Sequence, residues 1–424
     1  MKVLLISAST EKINLPTFPL GLACVAQATL EAGHEVECLD LLAARDPRTV
    51  LEESVGTFRP GVIGISVRNI DDQNMANPKF LLEQARKAVA WCRELSNAPI
   101  VLGGAGYSLF PENALEYLEA DMGIQGEGET VFPRLLEHLE KRRSLTGLPG
   151  LHVRGQGPGE KKDFARDLDS LPLPDPGLFP TSPYEGEDFW IPVQTRRGCP
   201  MRCSYCSTET IEGSRIRKRS PELIIRWLAR WVETGFERFQ FVDNTFNLPP
   251  SYTESLCTTL AESPYRIAWR CILYPGSLDE RLVRAMAGAG CREVSLGFES
   301  GCDEILKRMN KRFEARQVRQ AAKMLSDYGI STMGFLMLGV PGETKRSVEE
   351  SLAFVRGLNL NALKITLGAR IYPQTHLARL AVEEGLISPD EDLLFPRFYM
   401  AGGLEDWLRR TIEEAIKENK AWVT

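Results

Sequence analysis

Apolar positions along this chain follow two periods that take turns. Short leucine- and β-branched-rich runs alternate with stretches whose apolar residues stand three and four apart, and this exchange continues to about residue 370. In the first third, runs at 2–7, 35–39, 61–67, 99–102 and 122–125 read as strands. Stretches at 20–32, 49–57, 79–95 and 111–118, with one more after Gly128, read as helices. The run GVIGISV at 61–67 is apolar without alternation, as a strand covered on both faces must be. Strand–helix exchange of this kind predicts a doubly wound, Rossmann-like parallel sheet with its ligands outside the carboxyl ends of the strands.

A second exchange starts at Ile191. It predicts strands at 191–196, 238–242, 267–271, 293–298, 332–338 and 362–367, with helices at 221–234, 252–261, 279–288, 314–327 and 345–357. Ser220-Pro221-Glu222 reads as a helix start, and Gly235, Gly290 and Gly329 each end a helix before a strand. Six such units make a partial (β/α)6 barrel, related to the TIM barrel, whose reactive rim is the carboxyl ends of its strands. Between the two patterns, GLPGL, GQGPGE and LPLPDPGLFP break all periodicity and read as a linker or strap. Helical segments at 375–385 and 404–418 form a small C-terminal extension. The expected α/β organisation is therefore 1–146 for the first domain, 147–190 for the linker, 191–369 for the barrel and 370–424 for the extension.

Charge narrows the partners. A net charge of −6 and a pI of 5.6 argue against general binding to nucleic acid or to an anionic membrane. No apolar run approaches the roughly 20 residues of a membrane span, and Met1–Ser9 lacks the apolar core of a signal peptide. A cytoplasmic location is expected. The run SRIRKRS at 214–220 reads as a solvated loop before a helix, or as a binder of an anionic substrate.

Ten cysteines in 424 residues are too scattered for a disulfide framework. Cys24, Cys38, Cys92, Cys257, Cys271, Cys291 and Cys302 sit singly and read as small buried hydrophobes. Cys199, Cys203 and Cys206 do not. They stand in RGCPMRCSYC, three thiols on one loop directly after a predicted strand. Thiolates hold iron–sulfur clusters, and a 4Fe–4S cube with three protein ligands keeps one iron open. Zinc also takes thiolates, but a structural zinc site wants a fourth Cys or His close by. None stands between Cys206 and Cys257, and the four histidines lie elsewhere.

This loop resembles the radical S-adenosylmethionine superfamily, whose signature is CxxxCxΦC with an aromatic Φ, here Tyr205. The resemblance covers about 191–370. It implies a 4Fe–4S cluster on Cys199, Cys203 and Cys206, and S-adenosylmethionine chelated by the open iron and cleaved to a 5′-deoxyadenosyl radical. It also implies cofactor contacts from Tyr205 and from residues at successive strand ends. These are Asp243 in FVDN, Arg270, Glu299 and Ser300 in LGFESG, and Gly339 ahead of PGET.

The first domain has neither a GxxxxGK[ST] loop nor GxGxxG after its first strand, where Ser7-Ala8-Ser9-Thr10 stands instead. Small residues do fall at other strand ends: Ser66, Gly103-Gly104 and Gly126-Glu127-Gly128. With PLGL opening the first helix, LGGAGYSLFPE and the LPLPDP strap, the pattern resembles the cobalamin-binding domain fused to many radical S-adenosylmethionine enzymes. That resemblance implies cobalamin held near Ser66, Arg68, Gly103, Gly104, Gly126, Glu127 and Gly128. The Asp-x-His-x-x-Gly of cobalamin domains with a histidine below cobalt is missing, so no histidine lower ligand is expected, and Arg68 in VRNID would face that side.

The two resemblances together imply a methyltransferase that moves a methyl group from S-adenosylmethionine through methylcobalamin to an unactivated carbon or phosphorus of a small molecule. An external electron donor supplies the reductant. A cobalamin-dependent rearrangement or cyclisation is the alternative within enzymes, and a cobalamin or redox sensor the alternative outside them. No side chain stands out as nucleophile or general base.

Overall fold

The computed structural model describes residues 1–9, 17–157, 159–179 and 189–424. Thr10 of the first loop, and residues 158 and 180–188 of the expected linker, lie outside the described residues. The chain divides into two compact units. Residues 1–72, 79–189 and 210–213 form the first, and residues 73–78, 190–209 and 214–424 the second.

The first unit runs β1 (Lys2–Ser7), α1 (Leu20–Glu31), β2 (Glu35–Asp40), α2 (Pro47–Phe58), β3 (Val62–Ser66), α3 (Leu82–Leu95), β4 (Ile100–Gly103), α4 (Ala105–Leu109), α5 (Pro111–Leu118), β5 (Met122–Ile124), α6 (Gly128–Glu140) and β6 (Leu151–Val153). Its sheet has the order β2-β1-β3-β4-β5-β6 and is parallel up to β5. In β1 every residue after Lys2 is buried, and β3 is buried up to its last residue, Ser66, because helices cover both faces. Local signals set the helix ends: Asp46 accepts from the Arg48 amide, with Pro47 at the first position of α2.

The linker reading of 147–190 misses β6, which pairs antiparallel with β5 and extends the first sheet. Three residues of LHV carry no period, and only the open edge of β5 gives them a partner.

The second unit runs β7 (Ile191–Val193), β8 (Arg196–Arg197), α7 (Thr208–Glu212, whose last three residues pass to the first unit), β9 (Arg217–Lys218), α8 (Pro221–Glu233), β10 (Arg238–Phe241), α9 (Pro250–Glu262), β11 (Ala268–Leu273), α10 (Glu280–Gly288), β12 (Cys291–Glu299), α11 (Asp303–Arg308), α12 (Ala315–Asp327), β13 (Ser331–Leu338), α13 (Lys345–Arg356), β14 (Ala362–Leu367), β15 (Ala369–Arg370), α14 (His376–Glu383), β16 (Phe398–Tyr399), α15 (Glu405–Glu418) and β17 (Trp422–Val423). The six expected barrel strands line up in chain order, β7 to β14, and β17 adds a seventh at the far edge. All six pairings are parallel.

One face of this sheet is fully buried under its helices. Phe241 and Trp269 meet edge to face at 5.1 Å on that side, and the Trp269 indole donates to Ala289 O at 2.7 Å. Burying each such side chain contributes roughly 1.5–3 kcal/mol. The other face alternates with it and is only half-buried, with Ile272 of the central strand β11 36% exposed. Gly290 turns α10 into β12 at φ +95°, and a Cβ there would come within 2.2 Å of Ile267 O. Among the described residues no helix is long and apolar enough to cross a membrane.

Candidate functional site

The three-cysteine loop hangs from β8, which pairs with β9 at Arg196↔Lys218 and Arg197↔Arg217. Gly198 (φ +91°) turns the chain away from the strand into Cys199. The loop is then fixed from two sides. The Ser204 amide donates to Met309 O at 3.0 Å, the Leu377 amide donates to Ser204 O at 2.8 Å, and Asn310 Nδ2 donates to Arg202 O at 2.7 Å. The Cys206 amide closes a turn onto Cys203 O at 3.1 Å. All three thiols are half-buried, and none of the chain's ten cysteines is in a disulfide. Among the described residues no three His, Cys, Asp or Glu side chains converge as a single metal ion requires. A cube offers each thiolate a different iron, so its ligands need not converge, and the donor set fits a cluster better than zinc.

Tyr205 points back under this loop. Its hydroxyl donates to Glu299 Oε1 at 3.0 Å, and Lys311 Nζ lies 3.1 Å from the same hydroxyl and 3.3 Å from the same carboxylate oxygen. Lys311 and Glu299 are 5% and 13% exposed. Burial works against the Lys311 charge, but Tyr205, Glu299 and Cys203 around it hold its pKa well above the ordinary value. Burial raises the Cys203 thiol, and Lys311 opposes that rise. Glu299 ends β12 at φ +65°, a left-handed conformation that costs a non-glycine residue about 1 kcal/mol or more. Sequence reasoning missed Lys311, which stands in KRMNKRF as one of four basic residues with nothing to mark it as the buried one.

Other expected contacts are placed differently. Asp243 is fully buried and accepts from the Thr195 amide (2.8 Å), the Thr195 hydroxyl (2.6 Å) and the Arg196 amide (3.0 Å), with Arg196 Nε 3.4 Å away. Burial raises its carboxyl even with that guanidinium alongside. It therefore supports the strand that feeds the cysteine loop. Ser300 is also fully buried. Its hydroxyl meets Ser351 Oγ at 3.1 Å and accepts from the Cys302 amide, stitching the turn after β12 to α13. Arg270 is third in β11, near the amino end, where it donates to Gln240 Oε1 at 2.8 Å and stacks on Trp190. The expected strand ended at 271 and so put Arg270 at its end, but β11 runs on to Leu273, and register places Arg270 in the row Gln240–Arg270–Glu293.

Gly339 (φ +90°) does sit at the carboxyl end of β13, where a Cβ would meet Met400 Sδ at 2.5 Å. Its amide donates to Glu343, whose second carboxylate oxygen is buried without a partner. Burial raises that carboxyl to about 7.

In the first unit, register aligns Ser7, Ser66 and Gly103 as one row of small residues across β1, β3 and β4 at the carboxyl edge. A Cβ on Gly103 would meet nothing within 4 Å, so a large flat ligand can approach the backbone there. Arg68 lines a hollow with Ala8, Ser66, Asn69 and Gln84, and desolvation there lowers its pKa. At Gly104 (φ +100°) a Cβ would come within 2.5 Å of Val67 O. The Gly126 amide donates to Ser108 Oγ. Glu127 accepts from the Ala165 amide at 2.8 Å and so holds the strap. Gly128 is the first residue of α6, and a Cβ there would come within 2.9 Å of Val25 Cγ2.

Two family models match the chain. One, described as a B12 binding domain, matches residues 6–136, and the other, the radical SAM superfamily, matches 193–355. The chain is 28% identical to an uncharacterised methyltransferase of Pyrococcus horikoshii, over 91% of this chain and 84% of that one. It is 23% identical to the tryptophan 2-C-methyltransferase of Streptomyces laurentii, over 88% and 73%. Its fold is similar to that of the radical S-adenosylmethionine methyltransferase TsrM from Kitasatospora setae, solved with cobalamin and a 4Fe–4S cluster bound. The TM-score is 0.90 at 21% identity, over 100% of this chain and 92% of the other.

Proposed function

Because the chain belongs to the radical S-adenosylmethionine superfamily and carries a B12-binding domain, we propose that it is a cobalamin-dependent methyltransferase. It moves a methyl group from S-adenosylmethionine to an unactivated carbon of a small molecule. The observation that carries the reading is the pinned loop of three unbridged, half-buried thiols beside Tyr205, Glu299 and Lys311. Relatives named as methyltransferases align over most of their length with most of this chain, which supports methyl transfer as the outcome.

Cys199, Cys203 and Cys206 would hold the 4Fe–4S cluster. Ser7, Ser66 and Gly103 would admit cobalamin at the first sheet's edge, with Arg68 in place of a histidine. When bound, these groups supply electron transfer to the sulfonium of S-adenosylmethionine and carriage of the methyl group. The residues around them prepare the site. Lys311 brings a buried positive charge to Cys203, which offsets the charge that three thiolates bring together. Glu299 fixes the Tyr205 ring through its hydroxyl and so fixes the loop between Cys203 and Cys206. An external low-potential donor supplies electrons, and ten cysteines with no disulfide among them fit a reducing, cytoplasmic setting.

Anaerobic reconstitution with iron, sulfide and hydroxocobalamin, followed by gel filtration, tests this. Four irons and one corrinoid per chain are expected, with a corrinoid spectrum lacking a nitrogen lower ligand. Methyl label from S-adenosylmethionine should then appear on the retained cobalamin. A chain that keeps four irons but no corrinoid is a radical enzyme without methyl carriage, and the proposal fails.

A further inference from the structure

Thr208 opens α7, two residues after Cys206. Its Oγ1 stands 3.2 Å from Cys206 Sγ and 3.3 Å from Asn244 Oδ1. All three side chains are half-buried. Asn244 follows Asp243, whose carboxylate is consumed by Thr195 and Arg196, so the backbone that carries Asn244 is held firmly.

The direction of these two hydrogen bonds depends on the sulfur. A thiol is a weak donor and an amide oxygen an acceptor, while a hydroxyl has one proton to give. In the protonated chain Cys206 donates to Thr208 Oγ1, and Thr208 donates to Asn244 Oδ1. A cysteine that ligates iron has lost its proton, so its sulfur can only accept. The Thr208 hydroxyl must then turn its proton toward sulfur. A half-turn of the Asn244 carboxamide replaces Oδ1 by Nδ2, which donates to Oγ1 in turn; the two ends of an amide are close to isosteric.

We propose that Thr208 is a positioning residue of the iron–sulfur centre. Its hydroxyl donates a hydrogen bond to the Cys206 sulfur, and Asn244 decides which way that hydroxyl points. This rests on Cys206 being a cluster ligand. Hydrogen bonds to the sulfurs are one lever on cluster potential. A donor draws charge from sulfur and favours the reduced, more negative state, so Thr208 raises the potential.

The test is a redox titration, followed by electron paramagnetic resonance, of the full chain reconstituted with iron and sulfide. Thr208→Val keeps the shape and removes the hydroxyl. It should keep four irons and leave the centre about tenfold less reduced at a fixed reductant, a shift of about 59 mV for a one-electron couple. Thr208→Ser should restore the potential. Asn244→Asp offers only acceptors, holds the hydroxyl proton away from sulfur and should lower the potential as well. The new charge would also lower it, so the double variant decides. If Asp acts through the hydroxyl, T208V/N244D lies no lower than the lower single variant. Shifts that add would overturn the role of Asn244. An unchanged potential in Thr208→Val at full iron content overturns the proposal, and so does failure of Thr208→Ser to restore it. If Thr208→Val cannot hold iron, Thr208→Ala removes the same hydroxyl without adding charge, and an unshifted potential there is equally fatal. A wild-type chain that binds no four-iron centre is a different result, because it removes the cluster reading itself.

Discussion

Asp243 and Arg196 form a buried ion pair, 3.4 Å between Oδ2 and Nε, in which neither side chain is more than 2% exposed. Arg196 Nη1 donates to Leu248 O at 2.7 Å, and the guanidinium lies over Tyr252 at 4.5 Å and Phe246 at 5.0 Å. Cys199 is three residues further on, so the strand that presents the cysteines is anchored in the core by charge. Removing one partner of a buried pair leaves the other charge uncompensated, at a cost of about 3–5 kcal/mol. Asp243→Ala should therefore lower the melting temperature sharply and take iron retention down with it. Asp243→Asn, which keeps one acceptor oxygen, should lose less of both. Thermal melts and iron content after reconstitution check this. An Asp243→Ala chain with wild-type stability would show that the pair does not anchor the loop.

Lys311 and Glu299 are a second buried pair, tied through the Tyr205 hydroxyl. Lys311→Met should destabilise the chain by about 3–5 kcal/mol, because Glu299 is left buried without its ammonium partner. Adding Glu299→Leu to Lys311→Met should recover part of that loss, since two apolar groups need no compensation. Denaturant midpoints of the wild type, both single variants and the double variant form the cycle. A double variant whose loss equals the sum of the two single losses would mean that the pair is not energetically coupled.

Strand-end glycines divide into two kinds, which gives a separate check on the first unit. Gly103 faces open space, so Gly103→Ala should leave the stability of the apo chain within about 0.5 kcal/mol of wild type while weakening corrinoid retention. Gly104 has φ +100° and a carbonyl where its Cβ would go, so Gly104→Ala should cost about 1–3 kcal/mol whether or not corrinoid is present. Melts of the apo chain together with corrinoid titrations separate the two. Equal corrinoid affinity for wild type and Gly103→Ala would argue against a ligand at that edge.

Much of this was legible in the sequence because local and long-range preferences agree. The runs at 2–7, 111–118 and 362–367 became elements with those limits, since apolar period and end signals coincide there. β6 and β17 escaped notice because two or three residues carry no period and are strands only through a neighbour's open edge. The site was legible where chemistry is dense, in the cysteine loop, and obscure where burial decides. Asp243 and Ser300 have the composition of ligand contacts, but their acceptors are spent inside the fold. Cys257, Cys271 and Cys291, scattered in sequence, share one buried patch, where desolvation pushes the first two thiols upward and Cys291 adds to the rise. Spacing along the chain does not report which side chain a fold turns inward.

Glu343 gives the fold a pH dependence with a definite sign. Its Oε2 accepts from the Gly339 and Val340 amides, while Oε1 is buried with no partner. Burial, opposed by those two amides, raises the carboxyl from 4.5 to about 7. A group whose pKa is higher folded than unfolded binds its proton more tightly in the native state. Its contribution is fully present below the unfolded value near 4.5 and drains away as pH rises through about 7. At about 1.4 kcal/mol per unit, the loss across that window is about 3 kcal/mol. Glu343→Gln cannot ionise and can still accept from both amides, so it should lack this loss. The gap in melting temperature between Glu343→Gln and the wild-type apo chain should therefore move in favour of the variant between pH 5 and pH 8. Asp40, whose carboxyl burial lifts to about 6, acts in the same direction in both proteins and cancels in the comparison. A gap that stays constant across that range would mean that Glu343 ionises in the folded chain as freely as in the unfolded one.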